Sequence, residues 1–376
     1  MIPANIFDAV HYLNVRKPLL EASTLPNWCY TSDEFYQREV KQLFLRMWNF
    51  AGREDEIPEP GDYLVFDICN ESVILIRGKD QVIRAFANTC RHRGAQLLHG
   101  SGNCRSIVCP YHSWVYGLDG KLERMRGMED TLEFDPAEYG LILLKIDTWA
   151  GFIFISFSEE CGELNEFLGD LPEQFASYKF SDVVCVRRKE YIVNCNWKLY
   201  LENAMEDYHT PTVHMGSIGG QDTVPIQTTG EWDAIHMESE SSVAVLPEDE
   251  STLPHIEVLR DLPANGTFFT AIYPSTFFAT TQDCMWWLQS LPQGPQKTKV
   301  IQGSCFPKTT VARDDFKREV NKYYDRWDKS IPEDNAIVEQ QQLGLNSVVS
   351  RPGRLSSREP IVHSIANWVL DHTISV

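Results

Sequence analysis

Cys90-Arg91-His92-Arg93-Gly94 and Cys109-Pro110-Tyr111-His112-Ser113-Trp114 decide how this chain is read, because each short segment delivers one thiol and one imidazole. A [2Fe-2S] cluster with one iron on two thiolates and the other on two imidazoles needs this division of ligands. Replacing two thiolates by neutral imidazoles removes negative charge and raises the potential, which suits a one-electron carrier fed by a ferredoxin-type donor. A tetrahedral zinc site takes the same ligand types. Zinc spacing, however, usually pairs Cys with Cys and His with His on separate segments, and here each segment mixes them. Unrelated structural residues are the remaining alternative. His99 and Cys104 lie between the pairs but break the spacing, so Cys90, His92, Cys109 and His112 are the expected ligands.

These two segments resemble those of the Rieske non-haem iron oxygenases, the aromatic-ring-hydroxylating family, in their terminal oxygenase (alpha) subunit. The resemblance covers nearly the whole chain, but only its two ligand motifs are specific. It implies an α+β chain: an all-β Rieske [2Fe-2S] domain plus a catalytic domain of antiparallel sheet wrapped round a long helix, of the helix-grip type. It also implies a mononuclear Fe(II). Two His plus one carboxylate is the facial triad of oxygen-activating non-haem iron, which leaves positions open for O2 and substrate.

The segment Asn196 to His214 resembles the family's catalytic helix, with His209 and His214 in H-x4-H spacing. Residues five apart on an unbroken helix project about 140° apart, too far for one metal. Pro211 disfavours helical geometry at Thr210, so the chain is expected to turn after His209 and bring His214 back. A helix over 196–209 would put Glu206 on the face of His209, where it can orient the imidazole. In the resembled family a carboxylate at this place bridges an iron-ligand His to a Rieske His of the neighbouring subunit, and Glu206 and Asn203 are carried over as the catalytic residues. An acidic helix end without catalytic duty is the plainer reading of Glu206-Asp207. Many ring-hydroxylating members have Asp at the bridge and a longer spacer after the Glu-Asn pair; the shorter spacer from Glu202-Asn203 to His209 looks more like that of the choline, carnitine and betaine oxygenases.

Asp334 resembles the family's third iron ligand, with Glu333 as its alternative. Both also read as N-terminal helix residues after Pro332, placed to meet the macrodipole.

The chain has 376 residues, 43% hydrophobic and 11% aromatic, enough for about two domains with real cores. The expected division is a helical arm over 1–48 packing on the catalytic domain, a Rieske domain over 49–155 and a catalytic domain over 156–376. Ser32 is the expected N-cap of a helix in the arm. Short strands are expected at Tyr63–Ile68, Ser72–Arg77, Val82–Asn88 and Gly151–Phe157, with the metal loops as hairpin tips. Helices are expected over 314–328 and 358–371. The acidic stretch Glu231 to Asp261 reads as a solvated loop.

A net charge of −19 excludes a phosphate-binding face of the nucleic-acid type. Of the ten cysteines, the eight besides Cys90 and Cys109 are scattered and read as reduced thiols of a cytoplasmic protein. The N-terminus shows no signal-peptide apolar region, and no apolar run reaches the ~18 residues of a membrane span.

The function implied is the terminal oxygenase of a multicomponent system. With no G-x-G-x-x-G after a strand, NAD(P)H acts only indirectly, through a separate flavin/iron-sulfur reductase, with or without a ferredoxin, and the resemblance implies a homotrimer. A pocket is expected from Tyr200, Leu201, Met205, Tyr208, Phe268, Phe269, Tyr273, Phe277, Phe278, Trp286 and Trp287, which suits a flat ring or a quaternary ammonium. The spacer favours a methylated amine or betaine as substrate. Mono- or dioxygenation of an aromatic ring compound is the alternative, and an electron-transfer Rieske protein without its own catalysis is a third reading.

Overall fold

The computed structural model describes residues 3–374. They divide into two compact units: Leu45–Leu164, and the segment ending at Phe44 together with that beginning at Asn165.

The first unit is built from short antiparallel strands. Strands β1 (Asn49–Arg53), β2 (Asp62–Ile68), β3 (Glu71–Arg77), β4 (Ile83–Ala87) and β5 (Ser101–Asn103) are followed by β6 (Ile107–Val108), β7 (Val115–Tyr116) and β8 (Leu122–Arg124), then β9 (Lys145–Trp149) and β10 (Phe152–Ser156). They pair in the orders β4-β3-β2-β5, β6-β7-β8 and β1-β10-β9. The run Val73-Ile74-Leu75-Ile76 in β3 is buried throughout, so both of its faces are covered, as a continuous apolar run demands. Cys69 and Asn70, between β2 and β3, both take positive φ (52° and 68°), the backbone of a tight hairpin turn. The core around Ile74, Ile76, Phe86, Leu97, Ile107 and Trp114 includes Cys90 and Cys109. The candidate thiol ligands are thus part of the packed interior.

The second unit contains a seven-stranded antiparallel sheet. Its strands are β11 (Val183–Val193), β12 (Val224–Ile226), β13 (Trp232–Glu238), β14 (Gly266–Ile272), β15 (Thr276–Thr280), β16 (Met285–Gly294) and β17 (Lys297–Pro307), in the order β11-β17-β16-β15-β14-β13-β12. Every residue of β14 and β15 is buried, so these strands are covered on both faces. The helix Trp197–Ala204 packs against β16 and against the long helix Phe316–Leu345. In the N-terminal segment, Ser32 caps the helix Asp33–Glu39 by accepting from Phe35 N–H. Glu39 then meets Lys198 at 2.6 Å, with both side chains fully buried, and accepts from Trp197 Nε1. Removing one partner of such a pair strands a buried charge, at a cost of about 3–5 kcal/mol.

Four local expectations are corrected. The catalytic helix ends at Ala204 instead of reaching His209, because Glu206 folds its carboxylate back onto His209 and takes the backbone N–H of that residue (3.0 Å). Pro211 opens a helix instead of breaking one: it lies in the first turn of Thr210–Val213, where its missing N–H costs nothing. Helix 314–328 does not stop before Pro332 but runs from Phe316 to Leu345. Burial of Tyr323, Trp327 and Ile331 before the proline and Val338 after it outweighs the lost backbone bond. Glu333 and Asp334 are therefore mid-helix residues. The acidic stretch is not all loop, since Trp232–Glu238 forms β13 and is mostly buried.

Among the described residues no helix is long and apolar enough to cross a membrane, and all ten cysteines are free.

Candidate metal centres and the aromatic cavity

The two Cys/His loops share one backbone design. Cys90 N–H donates to Ala95 O (2.8 Å) and Gly94 N–H to Cys90 O (2.9 Å); Cys109 N–H donates to Trp114 O (2.8 Å) and Ser113 N–H to Cys109 O (3.1 Å). The fourth residue after each Cys is left-handed, Gly94 at φ 74° and Ser113 at φ 59°. Glycine adopts this conformation freely and serine does not. The loops bring His92 Nδ1 within 3.1 Å of His112 Nδ1, so at most one proton can lie between the two nitrogens. Two buried thiols beneath two half-buried imidazoles form a donor set that fits a [2Fe-2S] cluster with mixed ligands. His92 stacks on the buried Trp114 at 4.8 Å and 11°, which holds its ring plane.

Tyr116 supplies a further group that the ligand spacing does not reveal. Its oxygen accepts from Arg91 N–H at 3.0 Å, which leaves the hydroxyl proton for Cys90 Sγ, 3.2 Å away. Burial pushes the Tyr116 phenol up, so it remains a donor. A hydrogen bond to a cluster sulfur raises the reduction potential. Tyr116→Phe is expected to lower the Rieske midpoint by roughly 65–130 mV, the one-electron equivalent of one hydrogen bond to a charged group, with the absorption spectrum kept. An unchanged midpoint in protein-film voltammetry would show that the hydroxyl does not serve the sulfur.

In the second unit, His209 and His214 are the N-cap and C-cap of the single-turn helix Thr210–Val213. Their rings come to 5.2 Å between centroids. His209 Nε2 lies 3.6 Å and His214 Nε2 3.1 Å from Asp334 Oδ1, and one ligand atom from each of the three residues falls within 4.8 Å of the others. The opposite nitrogens are also engaged. His209 Nδ1 is 2.6 Å from Glu206 Oε1, and His214 Nδ1 is 2.7 Å from Glu333 Oε2, which also accepts from Ser217 Oγ. Burial alone would lower the His214 pKa, but Asp334 and Glu333 outweigh it and the imidazole is raised.

Adjacent positions on a helix project about 100° apart. Glu333 and Asp334 therefore bracket one imidazole from its two nitrogens, and only Asp334 faces the shared nitrogens. Asn203 Nδ2 donates to Asp334 Oδ1 at 2.9 Å, fixing that carboxylate from the catalytic helix. The donor set, two imidazoles and one carboxylate each held by a further hydrogen bond, fits a mononuclear iron.

The three residues open onto a small cavity of about 60 Å³ lined also by Tyr200, Phe269, Phe277 and Trp327. Of the aromatic residues expected there, Tyr200, Phe269 and Phe277 line it. Leu201, Met205, Phe268, Tyr273, Phe278, Trp286 and Trp287 are buried elsewhere in the packing. On the strands the cause is alternation: Phe268 and Phe278 point to the opposite face from their neighbours Phe269 and Phe277. Tyr208 is 58% exposed. Trp327 and Arg326 come from the long helix, and the helical stripe that Arg326 shares with Ser330 and Asp334 is the pattern that could have found them. Glu206 and His209 also border a second cavity, lined by Tyr30, Glu202, Ile337 and Glu359. Burial raises Glu202 to about 7.

The profile of the ring hydroxylating alpha subunit (catalytic domain) matches residues 180–374, and that of the Rieske [2Fe-2S] domain matches residues 47–136. Choline monooxygenase of Spinacia oleracea, a chloroplastic protein, is 27% identical over 98% of this chain and 82% of its own length. The carnitine monooxygenase oxygenase subunit of Acinetobacter baumannii is 28% identical over 87% of this chain and 86% of its own. The crystal structure of the quaternary ammonium Rieske monooxygenase CntA with its substrate gamma-butyrobetaine superposes with a TM-score of 0.78 at 26% identity, covering 94% of this chain and 95% of that one. The chain therefore belongs to the ring hydroxylating alpha subunits and is the terminal oxygenase of a Rieske system, with a [2Fe-2S] cluster and a mononuclear iron.

Proposed function

We propose that this oxygenase hydroxylates an N-methylated cation, a quaternary ammonium or betaine. The observation that carries this reading is the aromatic wall of Tyr200, Phe269, Phe277 and Trp327 around the His209, His214 and Asp334 group. A desolvated quaternary ammonium over aromatic faces gains about 2 kcal/mol. The named substrates of the relatives support the same class.

In this reading Cys90, His92, Cys109 and His112 hold the cluster, and His209, His214 and Asp334 hold the iron. When bound, these two groups supply single electrons and the activation of O2. Glu206 and Glu333 orient the two imidazoles, and Asn203 holds the Asp334 carboxylate. The overall change inserts one oxygen atom of O2 into a C–H bond of an N-methyl group. The other oxygen atom leaves as water, and the balance consumes two electrons and two protons. The resulting hydroxymethyl ammonium then breaks its N–C bond. Nitrogen keeps the electron pair as a tertiary amine, and the carbon leaves as formaldehyde with release of the hydroxyl proton. Hydroxylation elsewhere on the substrate gives an alcohol or aldehyde.

Electrons come from a separate flavin/iron-sulfur reductase using NAD(P)H. The assembly is a homotrimer in which Glu206 links His209 to a Rieske histidine of the neighbouring subunit; the second cavity beside Glu206 supports such an approach. Residues 1–48 act as an arm on the catalytic domain, residues 49–155 as the Rieske domain and residues 156–376 as the catalytic domain. Free cysteines support a cytoplasmic setting.

The test is oxygen uptake with a surrogate reductase, scored against product, on a panel of methylated ammonium compounds and of benzoate- and naphthalene-like compounds. Coupled uptake with formaldehyde or aldehyde release is expected from at least one methylated cation. Cis-diols or phenols from the aromatic compounds, with every methylated amine uncoupled, would replace this reading by ring hydroxylation.

A further inference from the structure

The active-site cavity holds a cation, Arg326, that the metal chemistry does not use. Arg326 lines the cavity and is only 4% exposed. Its Nε donates to Val243 O at 2.7 Å, and its guanidinium lies 5.1 Å from the Trp327 ring. Among the described residues no carboxylate forms an ion pair with it, and its two terminal amino groups have no protein acceptor. Asp334 acts on it only through space, and a buried guanidinium without a contact ion pair is unfavourable. Burial lowers Arg326 only to about 10, so it stays charged at neutral pH.

Position gives this charge a meaning. Arg326, Ser330 and Asp334 stand at i, i+4 and i+8 of the long helix, and all three line the cavity. The two ends of that stripe are about 12 Å apart along the helix axis. One end of the cavity therefore carries the iron ligand Asp334, and the other is basic. A simple cation such as choline satisfies only the aromatic wall. A trimethylammonio acid satisfies both, because its carboxylate matches the paired donors of a guanidinium.

We infer that Arg326 anchors the carboxylate of a zwitterionic substrate, so that this oxygenase acts on ω-trimethylammonio acids and not on choline-like alcohols. The inference rests on the ammonium reading above and narrows it. Arg326 is on this account a specificity-determining residue, held at the cavity wall by the Val243 carbonyl.

The experiment compares paired compounds on the holoenzyme with a surrogate reductase: glycine betaine and 4-trimethylammoniobutyrate, each against its uncharged amide, with choline as a third arm. For the acid that is turned over, kcat/KM is expected to exceed that of its amide and of choline by roughly 30-fold, within the range of a charged hydrogen-bonded pair. Arg326→Gln should bring acid and amide to within about threefold, through a higher KM for the acid at little changed kcat. Arg326→Lys should recover part of the preference. Iron content and the Rieske spectrum confirm that each variant is loaded, and a purely structural role for Arg326 would affect acid and amide alike. If Arg326→Gln does not fold, the wild-type acid-to-amide ratio alone decides. Equal or better turnover of choline or of the amides overturns the inference and leaves the ammonium reading intact. Turnover confined to benzoate-like acids and lost in Arg326→Gln overturns the ammonium reading and leaves the guanidinium anchor in place.

Discussion

His209→Ala, His214→Ala and Asp334→Ala are each expected to lose the mononuclear iron and substrate turnover while keeping the full Rieske absorption. The reason is geometric. One nitrogen from each imidazole and one Asp334 oxygen converge within 4.8 Å, so deleting any of the three leaves a two-donor site. The candidate cluster ligands belong to the other compact unit, which is why the Rieske spectrum is the internal control. Glu333→Gln separates the two candidate carboxylates. Glu333 touches His214 on the nitrogen facing away from Asp334, so its loss should weaken iron binding by about 10- to 100-fold without abolishing it, the usual cost of losing a partner behind a ligand. Iron analysis and single-turnover assays on the four variants check this. Full iron and activity in Asp334→Ala, with loss in Glu333→Gln, would exchange the two roles.

Glu206→Gln should keep both metals and slow electron delivery to the catalytic site by orders of magnitude. The Glu206 carboxylate accepts from the backbone N–H of His209 and lies 2.6 Å from its Nδ1, and it borders the second cavity as well. Glutamine has the same length but lacks the charge and one acceptor oxygen, so it keeps one of the two contacts to His209 and no longer ties a second imidazole to it. Rapid mixing of the reduced protein with O2 and substrate reads the effect as the rate of Rieske re-oxidation. An unchanged rate would remove Glu206 from the electron path and leave it an orienting group for His209.

Much of this protein is legible from local chemistry. The mixed Cys/His loops, the H-x4-H pair and the β2 to β4 strands are short-range patterns whose meaning depends on ligand type and on short apolar runs between turns, and both survive folding unchanged. Glu206 is a middle case. Three residues before His209 it is near enough to touch the imidazole in almost any compact turn, so its partner was readable although its helical setting was not.

Sequence alone therefore determined the candidate ligands for the redox chemistry, because metal-binding side chains are recognised by element and spacing. Three matters were left to the tertiary structure. Pro332 is an ordinary helix stop until burial of Tyr323, Trp327, Ile331 and Val338 makes the unbroken helix the better state, and only then do Glu333 and Asp334 stand on opposite sides of His214. The cavity wall is drawn from strands and helices far apart in the chain, so which aromatic faces inward follows from sheet register and not from composition. Arg326 looks in the sequence like any charged residue on a surface helix. Its significance exists only because packing buries it beside the substrate cavity with no carboxylate among the described residues to pair it, a property set by long-range contacts that no local pattern encodes.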